Sequence, residues 1–226
     1  GFRGQIFATE ATCDLCDIML RDSAHIQESE AEWKNRKAKR SGQEEVTPVY
    51  TMEDVYGVLP LFVPVRYHDV IHVSDEITAT FYDAGHLLGS SSISIDLTEN
   101  GVTKTVVFSG DIGNPDRPLI KDPEFLTKAD YVLTESTYGN REHGPKRDFA
   151  KLLAKVIDET LALGGNVVIP AFSVGRTQEI LYSIRRIKEE KLLKYVKNDF
   201  PVVMDSPLAV EATHVFSMNV SECFDD

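Results

Sequence analysis

No stretch of this sequence stays apolar for anything near the ~20 residues that cross a bilayer, and no signal peptide precedes the first strand-like run, Gln5 to Ala8. Both absences argue against a membrane or secreted protein, and a cytoplasmic one is expected. Cysteine is scarce. Three in 226 residues, an odd number, argue against a disulfide framework and for a reducing compartment. Cys13 and Cys16 form a C-x-x-C, but no second pair or thioredoxin-like setting accompanies it. They read as small, partly buried residues near a helix start. Positive charge is also short: 24 Lys and Arg against 36 Asp and Glu leave a net charge of −12, which counts against binding polyanions through a broad basic face. It leaves open positive charge held locally, on metal ions and anion-binding loops. The one basic stretch, Arg185 to Lys197, reads as a solvated helix face. The chain opens on Gly1 and closes on Cys223-Phe224-Asp225-Asp226 without a stopping element, so both ends are read as cut from a longer product.

What is present falls into two parts, 1–139 and 140–226, joined near Gly139. In the first, Gln5 to Ala8 reads as a strand and Thr9 to Leu20 as a helix with Leu15, Ile18 and Met19 on one side. Gln27 to Glu45, dense in Glu, Lys and Arg, reads as an exposed helical excursion or a mobile segment. Thr51 with Asp54 resembles a capping box opening a short helix through Val58. Short β-rich runs follow at Val63 to Arg66, Val70 to Val73, Ile77 to Tyr82, Ser92 to Leu97 and Thr103 to Phe108. Glu99-Asn100-Gly101 turns a hairpin between the last two. In the second part Tyr131 to Thr134 predicts a buried strand. Helices are predicted from Phe149 to Leu161 and from Thr177 to Lys188, alternating with strands at Asn166 to Pro170 and Val202 to Met204. That alternation points to a parallel, Rossmann-like sheet.

Two Gly-bounded turns carry chemistry. In D-A-G-H-L-L-G-S-S (Asp83 to Ser91) and V-V-F-S-G-D-I-G-N (Val106 to Asn114), His86 and Asp111 project from tight loops after β-favouring residues. An imidazole and a carboxylate on rigid strand ends are two of the ligands that a zinc hydrolase needs. The other five histidines, His25, His68, His72, His143 and His214, lack such a setting and read as structural; Arg141 and His143 are a surface loop. A third candidate, Glu135, closes the Tyr131 to Thr134 run, where α/β sites tend to sit. A carboxylate buried there requires a cation or hydrogen-bond donors beside it.

At these positions a resemblance becomes specific. D-A-G-H-L-L-G, F-S-G-D-I-G, T-E-S-T-Y-G-N-R, I-P-A-F-S-V-G-R-T-Q-E-I-L and D-S-P-L-A occur in this order, and five in order are far more specific than any one. Together they resemble the metallo-β-lactamase-fold nucleases of the β-CASP family, which includes RNA-processing nucleases of bacteria and archaea and the endonuclease of eukaryotic pre-mRNA 3′-end processing. The resemblance covers nearly the whole chain except Gln27 to Glu45. It implies an α/β fold: the later part of an αββα metallo-β-lactamase sandwich, followed by the start of a Rossmann-like β-CASP domain. His86 matches the histidine ligand of one zinc, and Asp111 the aspartate that bridges two. Glu135 matches the acid that orients a downstream catalytic histidine without binding metal. The implied activity is two-zinc hydrolysis of single-stranded RNA, with DNA, endo- or exonucleolytic cutting and a homodimer left open. The family's H-x-H-x-D-H motif and its later histidines are absent, which truncation explains best. This chain then carries two of about seven ligands.

In Ala171 to Gln178, a strand running into a helix N-terminus reads either as backbone N–H groups that, with Ser173 and Arg176, hold an RNA phosphate, or as a purely structural turn. It is no nucleotide P-loop, because Pro170 and Arg176 stand where that motif has glycine and lysine. Two rivals remain. A thioesterase or lactonase on the same metal core would lack the α/β segment after Glu135. A scaffold subunit would have lost His86, Asp111 or Glu135.

Overall fold

Thr9 ends the first strand and starts the first helix. Its hydroxyl accepts the N–H of Thr12 at 3.2 Å, an N-cap that Glu10 in the first turn reinforces. The computed structural model describes residues 1–42, 44–141, 144 and 148–223. In it α1 (Glu10–Ser41) runs for 32 residues, far past the expected end at Leu20. The charged stretch is therefore helical. It contains neither glycine nor proline until Gly42, whose left-handed conformation (φ 67°) closes the helix onto the carbonyl of Ala38. Ala24, Ala31 and Ala38, seven residues apart, form its buried face. The chain returns along the helix, held by the Asn35 amide on both backbone groups of Val46 (2.9 and 2.7 Å) and by Glu28 on the N–H of Met52. The Thr51/Asp54 capping box then opens α2 (Met52–Val58). Burial pushes the Cys13 thiol up to about 11 and that of Cys16 up as well, so the C-x-x-C is an inert pair on α1.

Strands β1 (Ile6–Thr9) and β2 (Phe62–Val65) pair in parallel. Five more form one sheet in chain order: β3 (Val70–His72), β4 (Ile77–Asp83), β5 (Ser91–Glu99), β6 (Val102–Phe108) and β7 (Tyr131–Leu133). All neighbours are antiparallel except β6 and β7. Asn100 and Gly101 take positive φ (50° and 76°), which a two-residue hairpin demands. Because β4, β6 and β7 run the same way, their C-terminal ends share one edge of the sheet. The core beneath β4 is Ala79 and Phe81 with Ile71, Phe7, Val65, Ile93 and Ile95.

Two expectations need correction. The strand before Glu135 is not buried: β7 is the last strand of its sheet, and Val132 is 61% exposed. An apolar run does not distinguish a two-sided core strand from an edge. Neither Asn166–Pro170 nor Val202–Met204 forms a ladder, and Val168 is 86% exposed. Among the described residues these β-prone segments have no partner strand to satisfy their backbone groups, so no parallel sheet forms there. On α3 (Phe149–Ala162), Ala150 and Ala154 take the inward places beside Leu153 and Ile157, and Phe149, Leu152 and Val156 lie half-exposed.

The two predicted long helices of this part do form, and they pack together. α3 meets Ile180, Ile184 and Ile187 of α4 (Arg176–Glu189) and Leu193 beyond it. The basic stretch is a helix face only as far as Glu189, where α4 ends: Arg185 and Arg186 pair with Glu189 and Glu190 one turn on, while Lys191, Lys194 and Lys197 lie exposed beyond the helix. Asp158 of α3 accepts the N–H groups of Lys194, Tyr195 and Val196 at 2.8, 2.9 and 3.2 Å. Burial pushes its carboxyl up, but those three donors win and hold it below the usual range. A depressed folded-state value stabilises above the unfolded value, about 3.9, and the gain is lost as pH falls through the lower folded value. The melting-temperature advantage of the wild type over Asp158→Asn should thus be full at pH 7, begin to shrink as pH falls to about 4, and vanish only below the depressed folded-state value. A pH-independent difference would assign the effect to packing.

α5 (Pro207–Met218), capped by Ser206, closes the fold against α1. Ala212, Val215 and Phe216 pack with Ala11 and Leu15, and Asn219 donates to Asp14 at 3.1 Å. The result is a mixed α/β structure.

Candidate functional site

The loop carrying His86 spans the Asp83–Ser91 pair that begins the β4–β5 ladder. Its shape is set locally. Asp83 accepts the N–H of Gly85 at 2.8 Å, and the Ser90 hydroxyl oxygen accepts those of His86 and Leu87, both at 3.1 Å. Its position is set by distant elements. The Thr9 and Thr12 hydroxyls reach the carbonyl of Gly89 at 2.7 and 2.9 Å. Leu88 is inserted between α1 and α5. Leu87 touches α4, where a Cβ on Gly175 would come within 2.6 Å of it. Arg117 donates toward the carbonyl of His86 at 3.5 Å.

The Asp111 loop leaves β6 and lies against the His86 loop. The N–H of Gly113 bonds to Ala84 at 2.8 Å. A Cβ on Gly113 would stand 1.5 Å from the carbonyl oxygen of Gly85, so glycine is required for this approach. His86 Nε2 and Asp111 Oδ2 end 3.9 Å apart, with the Asp111 side chain 74% exposed.

Glu135 follows β7 on the same sheet edge. Its carboxylate accepts the N–H of Ile112, the residue after Asp111, at 2.7 Å, and its own N–H donates to the Ser109 hydroxyl at 3.1 Å. The Ile112 amide first, and Thr137 second, hold its carboxyl below the usual range. It therefore has the hydrogen-bond donors expected of it, although β7 is exposed. The structure brings His86, Asp111 and Glu135 together. A hydroxyl (Ser109), an amide (Ile112) and two touching turns connect them.

An imidazole nitrogen and a carboxylate suit zinc, but two donors are fewer than the three or four that its sites use. Among the described residues no group of three or more His, Cys, Asp or Glu could hold a metal ion. His143 lies outside the described residues.

The Ala171–Gln178 turn uses part of its backbone to hold itself together. The N–H groups of Arg176 and Thr177 bond to the carbonyls of Val174 and Phe172 at 3.0 and 3.2 Å, so two amides of the expected cradle are taken within the loop. The Ser173 hydroxyl lies 3.4 Å from that of Ser206. Arg176 pairs with Glu179 one turn on, at 2.7 Å. Glu179 also binds Arg117, at 2.6 Å across 62 residues. Sequence reasoning missed Arg117; its one signal was its place in N-P-D-R-P, immediately beyond the Asp111 turn.

No protein-family model matches this chain. Curated relatives do. Ribonuclease TTHA0252 of Thermus thermophilus is 32% identical over 92% of this chain and 42% of its own length. The RNase J-like protein of Methanocaldococcus jannaschii is 30% identical over 94% and 44%. Integrator complex subunit 11 of Danio rerio is 28% identical over 98% and 33%. The chain spans less than half the length of these relatives. The five ordered motifs, the convergence of the three motif residues and these likenesses agree: over nearly its whole length the chain is similar to RNA-processing nucleases of the β-CASP, metallo-β-lactamase-fold kind.

Proposed function

We propose that the protein to which this chain belongs is a cytoplasmic ribonuclease that hydrolyses phosphodiester bonds of single-stranded RNA at a two-zinc centre. Residues 1–139 are read as the later part of its metallo-β-lactamase domain and residues 140–226 as the opening of a Rossmann-like β-CASP domain. The observation that carries this reading is the locked pair of turns holding His86 Nε2 3.9 Å from Asp111 Oδ2, with Glu135 fastened behind them. The names of the relatives, a ribonuclease and an RNase J-like protein, agree with it.

His86 and Asp111 would hold zinc, with the remaining ligands supplied from outside the described residues. Bound zinc supplies a hydroxide nucleophile at neutral pH and positive charge for the phosphoryl oxygens. This chain's own contribution is positioning. Glu135, ionised and anchored on the Ile112 amide, fixes the Asp111 turn and offers an acceptor for the N–H of a histidine. Arg176, at the start of α4, provides a cation for the substrate backbone beside Ser173. The overall net charge of −12 makes such local cations the means of meeting RNA.

The test is cleavage of end-labelled single-stranded RNA by the full-length natural product, with and without a chelator. Cutting should be chelator-sensitive and fall by about 10³-fold or more in His86→Ala, a loss of the size typical for a disabled catalytic group. An intact, zinc-loaded protein that leaves RNA uncut would move the assignment to a small-ester hydrolase or a scaffold subunit.

A further inference from the structure

Glu179 is the junction of the least exposed ion-paired cluster among the described residues. Its side chain is 16% exposed, and its two oxygens are divided between two arginines from different parts of the chain: Oε1 with Arg117 at 2.6 Å, Oε2 with Arg176 at 2.7 Å. Arg117 lies in the loop following Asp111 and uses its other Nη to approach the carbonyl of His86 at 3.5 Å. Glu179, Gly175 and His86 also line one small cavity. Most other ion pairs here join side chains three or four residues apart or lie in the open, where they fix little. This one spans the molecule from the β6 loop to α4.

We infer that Glu179 is a positioning residue that couples the RNA-contacting Arg176 to the His86 loop through Arg117. The inference rests on the ribonuclease reading for the role of Arg176. A single carboxylate shared by two guanidiniums gives each a partial claim on its charge. When a backbone phosphate engages Arg176, the Arg176–Glu179 bond loosens, and Glu179 turns its charge to Arg117. That guanidinium is then held harder beside the carbonyl of His86. Substrate at the α4 end thereby tightens the loop that presents the imidazole. Small displacements there matter, since about 1 Å of misplacement can cost on the order of 10²-fold in rate.

Glu179→Gln keeps the shape, removes the charge and releases Arg176. In the full-length protein it should lower kcat for single-stranded RNA by about 10- to 100-fold while KM stays level or falls, because the freed Arg176 binds phosphate better. Arg176→Ala should instead raise KM. Arg117→Ala should resemble Glu179→Gln, and the double variant should be no worse than either single one. Rates are referred to zinc-loaded protein, so simple loss of fold does not register. An unchanged kcat per zinc-loaded molecule, or additive effects of Arg117 and Glu179, would overturn the inference. Hydrogen exchange of the peptide covering residues 84–90 separates this inference from the ribonuclease reading. If the wild type cuts no RNA, faster exchange in Glu179→Gln at that peptide, with the Asn100–Gly101 hairpin unaffected, still supports the Glu179–Arg117–His86 link. Unchanged exchange refutes it.

Discussion

Gly113→Ala is expected to disable the site without changing the identity of any candidate catalytic side chain. The added methyl would sit 1.5 Å from the carbonyl oxygen of Gly85 and 2.8 Å from the N–H nitrogen of His86. Both are backbone atoms, so no rotamer change relieves the clash. Restoring an ordinary contact of 3.4 Å requires the two turns to separate by about 2 Å. That separation breaks the 2.8 Å bond from Gly113 to Ala84 and pulls His86 away from Asp111. Overpacking of this kind costs about 3 kcal/mol or more. In a chain of 226 residues that corresponds to a melting temperature about 6–12 °C lower. Cleavage by the full-length protein should fall by about 10²-fold or more. Gly57→Ala is the matched control. It lies within α2, a Cβ there meets nothing within 4 Å, and the change should stabilise by about 0.5–1 kcal/mol. A Gly113→Ala protein that melts and cuts like the wild type would mean that the two turns do not depend on their close approach.

The second large effect concerns zinc. The described residues offer one imidazole and one carboxylate. Four-ligand zinc sites release about 10–16 kcal/mol on binding. Half the donors supply about 5–8 kcal/mol, a Kd of roughly 10⁻⁴ to 10⁻⁶ M. Isothermal titration of the isolated 226-residue chain should therefore show weak zinc binding, lost in His86→Ala, and no cleavage of RNA. Tight uptake of two zinc ions by this chain alone would mean that it holds zinc ligands beyond His86 and Asp111.

Much of the site was legible because the information was local. A turn bounded by Gly85 and Gly89, and another by Gly110 and Gly113, states where the backbone bends and therefore which side chain it presents. The capping box at Thr51 and the Asn100–Gly101 hairpin were readable for the same reason. What escaped depends on neighbours. The composition of Tyr131 to Leu133 does not reveal whether a layer covers it, and that of Val202 to Met204 does not reveal whether a partner strand is present. The burial of Ala150 and Ala154 in place of Phe149 and Leu152 was decided by the Ile180–Ile187 face that α3 meets. Arg117 belonged to no motif, and only the fold brings it to Glu179.

The grip on the His86 loop has a consequence for synthesis. Leu88 fills a gap between α1 and α5, and Asn219 reaches Asp14 across 205 residues. Translation makes α1 well before α5, so in that interval Ala11 and Leu15 lack the helix that covers them. The strands of the sheet can pair while the chain is still growing, but the imidazole loop acquires its final support only after Phe216 has left the exit tunnel. Final support of the imidazole loop therefore follows pairing of the sheet, and until α5 docks, the Ala11–Leu15 flank of α1 is transiently exposed apolar surface.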